Sequence, residues 1–160
     1  MENKDLMKLL DEVQEPGEGT PKEKRIILID ALNLFFRNFA VIGTLNSDGT
    51  HVGGLGGFFR SLGALVRNLE ADQVYVVFDG IGGSNNRKNL IPEYKSGRNT
   101  SRITNWEVFD SYEDEENSQV DQIVRIAQYL KTLPVKTVAI DKVEADDVIA
   151  YVGEKLSHNK

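Results

Sequence analysis

The sequence predicts an α/β domain: a parallel sheet with helices on both faces. Two features carry that expectation. Three short runs rich in β-branched residues, "IILID" (26–30), "VYVVFD" (74–79) and "KTVAI" (136–140), have the length and apolar continuity of strands buried on both faces. Between and after them lie stretches with apolar residues about three and four apart, so strands alternate with helices and the connections are right-handed crossovers.

The elements follow in order. "KDLMKLLDEV" is a short amphipathic run in which Leu6, Met7, Leu9, Leu10 and Val13 recur at helical spacing, and "QEPGEGTPKEK" after it is rich in Pro, Gly and Glu. Residues 1–24 therefore form a flexible amino-terminal segment and linker, with three fates open: disorder, a helix on the domain's own surface, or a docking peptide for a partner groove. The domain proper covers 25–160. After the first strand, "NSDGT" is a turn. "GFFRSLGALVRNLE" (57–70) has helical spacing and leads to the second strand. A long insert, about 84–117, separates that strand from a helix over 119–133, and the third strand leads to a helix beginning near Ala145.

Composition narrows the chemistry. At 160 residues and 40% hydrophobic composition, one domain with its own core is the expectation. The chain has no cysteine, and its two histidines, His51 and His158, stand far apart, so any metal site must be built from carboxylates, which selects magnesium, manganese or calcium. No signal peptide is visible and no run approaches the roughly 20 apolar residues of a membrane span. A cytoplasmic protein is expected, in the host cytoplasm if phage-encoded, with no membrane partner. The net charge of −6 argues against a nucleic-acid partner only superficially. From Arg87 to Arg102 there are five bases (Arg87, Lys88, Lys95, Arg98, Arg102) against one acid, Glu93, whereas Ile103–Val124 carries seven acids and no base.

The acids near the carboxyl ends of the strands are the strongest chemical signal. Glu144, Asp146 and Asp147 crowd the start of the last helix, where one or two acids would suffice to cap free N–H groups and oppose the helix dipole. Asp30 and Asp79 end the first two strands. In a parallel sheet such ends face one crevice, so acids from three strand ends converge, an arrangement that capping does not require and that a divalent cation relieves. Metal binding is the stronger reading. Capping stays beside it.

The set "LIDALNLFFR", "VFDG", "IPEYKSGR" and "VEADDVIAYV", in this order and at these separations, resembles the 5′-nuclease superfamily: flap endonucleases, phage 5′→3′ exonucleases and the 5′-nuclease domains of bacterial DNA polymerases. The likeness runs from about Arg25 to Leu156. It implies a PIN-like core with an arch-like insert, and an acidic metal cluster of Asp30, Asp79, Glu144, Asp146 and Asp147. It implies that Lys95 and Arg98 lie at the base of the arch, with Arg87, Lys88, Tyr94 and Arg102 along the path of a single-stranded 5′ end. Family members continue with another strand bearing further aspartates and a helix-hairpin-helix element, so this chain resembles the amino-terminal part, truncated at the carboxyl end.

The expected function is a 5′→3′ exonuclease and flap endonuclease of replication or repair, acting on DNA and RNA primers. Two Mg²⁺ or Mn²⁺ ions would support phosphodiester hydrolysis, with Asp30, Asp79 and Asp146 among the catalytic acids and Lys95 stabilising charge on the scissile phosphate. Its partners are DNA with a 5′ flap or single-stranded 5′ end, an RNA–DNA hybrid, and a companion chain or replication protein. The alternative is a catalytically incomplete module that binds branched DNA or a replication partner. A toxin-type ribonuclease is disfavoured by the arch-like insert. Among minor features, "GGLGG" (53–57) reads as a loop into a helix rather than a nucleotide site, Phe58 and Phe59 as core, Trp106 as packed rather than a base-stacking platform, and "EDEE" (113–116) as a solvated loop.

Overall fold

In the computed structural model of the chain, the described residues are 24–85 and 103–158, with Asp5, Lys8, Leu9 and Asn89. Three strands form one sheet: β1 (Ile26–Asp30), β2 (Gln73–Phe78) and β3 (Lys136–Ala139). Their order is β1-β2-β3 and both pairings are parallel, with Asp30 opposite Val77 and Phe78 opposite Ala139. The helices are α1 (Ala31–Phe39), α2 (Gly53–Leu69), α3 (Tyr112–Leu130) and α4 (Ala145–His158).

Period-two alternation divides the strand side chains between two cores. On one face Ile29, Val74 and Val76 pack with Phe35 and Phe39 of α1, Phe58 and Leu62 of α2, and Ile126 and Leu130 of α3. On the other, Tyr75 and Val77 pack with Val143, Ala145, Val148 and Val152 around α4. Leu9 joins this second cluster, 7% exposed. Each large side chain so buried contributes about 1.5–3 kcal/mol relative to exposure, which is why α4 holds its place against β2.

Local chemistry sets the helix ends. The Asp30 side chain caps α1 by accepting from Asn33 N–H, and Arg37 sits in the last turn. The sequence does not announce this helix, because it starts on the residue after β1, with no turn between. Ser111 caps α3 by accepting from Asp114 N–H. α3 begins about two turns before the expected start at 119. It takes in the "EDEE" run, and Glu115, expected in a solvated loop, is 1% exposed. Its two carboxylate oxygens accept from Thr104 N–H at 2.9 Å each and one also from Asn105 N–H at 2.8 Å, so the charge is buried but hydrogen-bonded.

Trp106 is the second correction: it is 74% exposed rather than packed. Phe58 is fully buried, as expected, and Phe59 packs half-buried against Phe58 and Tyr129. The turn "NSDGT" forms as expected, with the Asn46 side-chain oxygen accepting from the N–H groups of Asp48 and Thr50. His51 is buried between Phe39 and Phe109. Its Nε2 lies 2.8 Å from the Ile42 carbonyl and its Nδ1 3.1 Å from Gln122 Nε2, so the ring is held as the neutral Nε2–H tautomer. No described helix is long and apolar enough to cross a membrane.

Candidate functional site

Asp30 is the last residue of β1 and is half-buried. Its Oδ1 accepts from Asn33 N–H at 2.9 Å, which fixes the carboxylate over the start of α1. Asp79 follows β2 directly. Its Oδ1 accepts from Ala145 N–H at 2.8 Å, so the acid at the end of the central strand caps the first turn of α4. Capping and convergence are thus both present in one carboxylate, and the two readings left open in the sequence are not exclusive.

This reach depends on a close approach of two loops. A Cβ on Gly80 would stand 1.8 Å from the Ile140 carbonyl oxygen, and Gly80 N–H donates to the Val143 carbonyl at 3.0 Å. Only glycine lets the segment after β2 lie against the segment after β3. That contact delivers Glu144 and Asp146 to the neighbourhood of Asp79. Glu144 is 3% exposed, whereas Asp146 is exposed in the first turn of α4.

Asp30, Asp79, Glu144 and Asp146 line one cavity of about 340 Å³, together with Leu32, Asn33, Phe36 and Arg37. Burial pushes the Asp30 carboxyl above the ordinary carboxylate range. The Asn33 N–H opposes that shift, and the carboxylates of Asp146 and then Asp79 add to it. Acids that follow the second and third strands therefore act on the acid that ends the first. The donors are hard oxygens, the type that suits magnesium, manganese or calcium. Among the described residues, no three His, Asp or Glu side chains stand close enough to hold one ion between them in this conformation.

Asp147 is exposed on the same turn of α4 and is not among the lining residues. Arg87, Lys88, Tyr94, Lys95, Arg98 and Arg102 lie outside the described residues. Arg37 is a site residue that the sequence did not single out. It is the one cation among the described lining residues, and its spacing of seven from Asp30, two helical turns along one face of α1, was the available signal. A larger and mainly apolar cavity of about 820 Å³ opens between α2 and α3, lined by Phe59, Leu62, Val66, Tyr129 and Leu133, with Asp72 just before β2 and Val74 within it. It lies at the opposite end of the sheet from the acids, so size does not mark the chemistry here.

The chain is similar to known proteins in sequence and in fold. Residues 25–160 match the family model described as "5'-3' exonuclease, N-terminal resolvase-like domain". The chain is 27% identical over 139 residues to DNA polymerase I of Borreliella burgdorferi, covering 85% of this chain and 14% of that protein. It is 26% identical over 137 residues to a 5'-3' exonuclease of Buchnera aphidicola, covering 84% of this chain and 42% of that protein. Among solved structures, the T5 5'-exonuclease with divalent zinc bound aligns with a TM-score of 0.59 at 22% identity, over 85% of this chain and 45% of that one. A T5 flap endonuclease in a pseudo-enzyme-product complex with DNA and metal ions aligns with a TM-score of 0.60 at 20% identity, over 84% of this chain and 45% of that one. The chain thus spans less than half the length of these relatives. The matched region starts at the strand that carries Asp30 and contains every element that shapes the acidic cavity, and the chain belongs to the 5'-3' exonuclease family, as its N-terminal resolvase-like domain.

Proposed function

We propose that the domain is the acidic half of a metal-dependent 5′→3′ exonuclease and flap endonuclease that acts on DNA and RNA primers in replication or repair. The observation that supports it best is the lining of one cavity by Asp30, Asp79, Glu144 and Asp146 at the carboxyl end of a parallel sheet. These four side chains would hold magnesium or manganese, two ions in the full site, and Asp147 would orient a neighbouring ligand. Bound there, the metal supplies Lewis-acid activation for phosphodiester hydrolysis.

The chain's own groups do the rest. Asn33 N–H and Ala145 N–H each hold one oxygen of the Asp30 and Asp79 carboxylates. Arg37 places a guanidinium beside the acids, suited to a phosphate oxygen. Lys95 stabilises charge on the scissile phosphate, and Arg87, Lys88, Tyr94, Arg98 and Arg102 track a single-stranded 5′ end without reading its sequence.

The test is cleavage of labelled 5′-flap, nicked and RNA-primed duplexes in magnesium and in EDTA. Release of 5′ products in magnesium alone is the expected result. One observation favours a second reading: the described acids do not close around one point. On that reading the domain binds branched DNA or a replication partner and needs a companion chain to complete the site. Retention of flap DNA with no cleavage in any metal, and recovery of cleavage on adding a companion fragment with further aspartates, distinguishes it.

A further inference from the structure

We propose that Trp106 is a base-stacking platform for single-stranded nucleic acid on its way to the acidic cavity, a role that rests on the nuclease reading above. Trp106 is the chain's only tryptophan and is 74% exposed. It has no ring or cation contact among the described residues. An indole offers a large flat face on which another ring can stack.

The ring is displayed from a fixed loop. The residues before it are held by the buried Glu115 carboxylate through the N–H groups of Thr104 and Asn105. Asn105 Nδ2 donates to the Phe39 carbonyl at 2.8 Å, and the Asn105 carbonyl accepts from Val108 and Phe109 N–H groups. Phe109 in turn stacks on Phe39, at 6.1 Å and 13° between rings. The loop is therefore pinned on both sides of Trp106, and little freedom is lost when something stacks there. Phe39 ends the helix whose Phe36 and Arg37 line the acidic cavity, so the loop that carries Trp106 is tied to that helix through Asn105 and Phe109.

Charge selects the partner. The sequence just before the loop, Arg87–Arg102, carries five bases against one acid and suits a polyanion. The exposed acids Glu107 and Asp110 of the same loop repel phosphate, so the strand meets the indole through the uncharged face of a base. Duplexes hide base faces except at their ends; single strands offer them at every nucleotide. The stacking is sequence-tolerant, in DNA or RNA.

Emission of the one tryptophan reports on this site alone. Titrating the full chain with oligo-dT in calcium buffer should quench it to saturation. By anisotropy of a labelled oligonucleotide, Trp106→Ala should bind roughly tenfold more weakly, Trp106→Phe within a few-fold of wild type, and the salt dependence of Trp106→Ala should match wild type because the interaction removed is uncharged. The melting temperature of Trp106→Ala should be unchanged. Binding by anisotropy with static emission and full affinity of Trp106→Ala overturns the platform and leaves the nuclease reading standing. Full affinity with a smaller solution mass for Trp106→Ala assigns the residue to a protein interface and likewise overturns it. Absence of both oligonucleotide binding and metal-dependent flap cleavage removes the nuclease reading and the platform with it.

Discussion

Asp30 is held half-buried at the end of β1, where burial and the charges of Asp146 and Asp79 favour its protonated form. Its folded value lies above the ordinary 3.8, so the folded chain binds this proton more tightly than the unfolded chain. The stability Asp30 contributes is therefore present at low pH and is lost as pH rises from 3.8 through the raised folded value. At neutral pH, without metal, ionised Asp30 works against the fold. Asp30→Asn should raise the melting temperature in EDTA and flatten its dependence on pH in that window, a cost that functional clusters accept. Magnesium should raise the melting temperature of the wild type by mass action and should do so far less for Asp30→Asn and Asp146→Asn. An unchanged magnesium shift in both variants would contradict a shared cation site. Basic residues divide by position: Arg37→Ala and Lys95→Ala should lower cleavage more than binding. Arg87→Ala and Arg102→Ala should weaken binding and reduce the salt slope by about one unit for each phosphate no longer engaged, measured by titration at several ionic strengths.

Among the elements, the strands were legible because parallel buried strands leave continuous β-branched runs, and "IILID" gives β1 to the residue. Features set by distant partners were not. Glu115 reads as one more acid in a charged run, and only the arrival of Thr104 and Asn105 N–H groups turns it into a buried clasp between the loop 103–111 and α3. Glu115→Ala should therefore destabilise the domain by about 2–3 kcal/mol, since it removes a buried charged acceptor and orphans the part-buried donors of Thr104 and Asn105. Chemical denaturation measures this, and a change under 1 kcal/mol, roughly that of a surface substitution, would show the clasp to be dispensable. Gly80→Ala tests the other join. Its Cβ meets the Ile140 backbone oxygen rather than a flexible side chain, so the loops must part, at about 3 kcal/mol and with loss of the magnesium shift.

Across the whole molecule, the two cores differ in cover. Among the described residues, the face that packs α1, α2 and α3 is thick, whereas the other carries α4 and Leu9. β3 is short and mostly exposed, and among the described residues it pairs only with β2. An open strand edge beside apolar residues invites pairing with another chain. The isolated chain should therefore self-associate in a concentration-dependent way, which sedimentation velocity would detect; a single monomeric species at all concentrations would count against it. The acids of the candidate site were legible as a set because a parallel sheet sends every strand end to one edge. Arg37 was not, because it sits on a helix that no turn residue announces.

The hydrogen bond from Ala145 N–H to Asp79 Oδ1 ties the acid of the central strand to the first amide of α4. A ligand that draws that oxygen away loosens this amide. Ala145 is thus a built-in gauge of occupancy: its amide proton should exchange slowly with solvent in the free protein and faster once a ligand draws Asp79 away, while the amides deeper in α4 keep their protection. A site-resolved exchange measurement can read the state of the cavity from a backbone position that itself binds nothing.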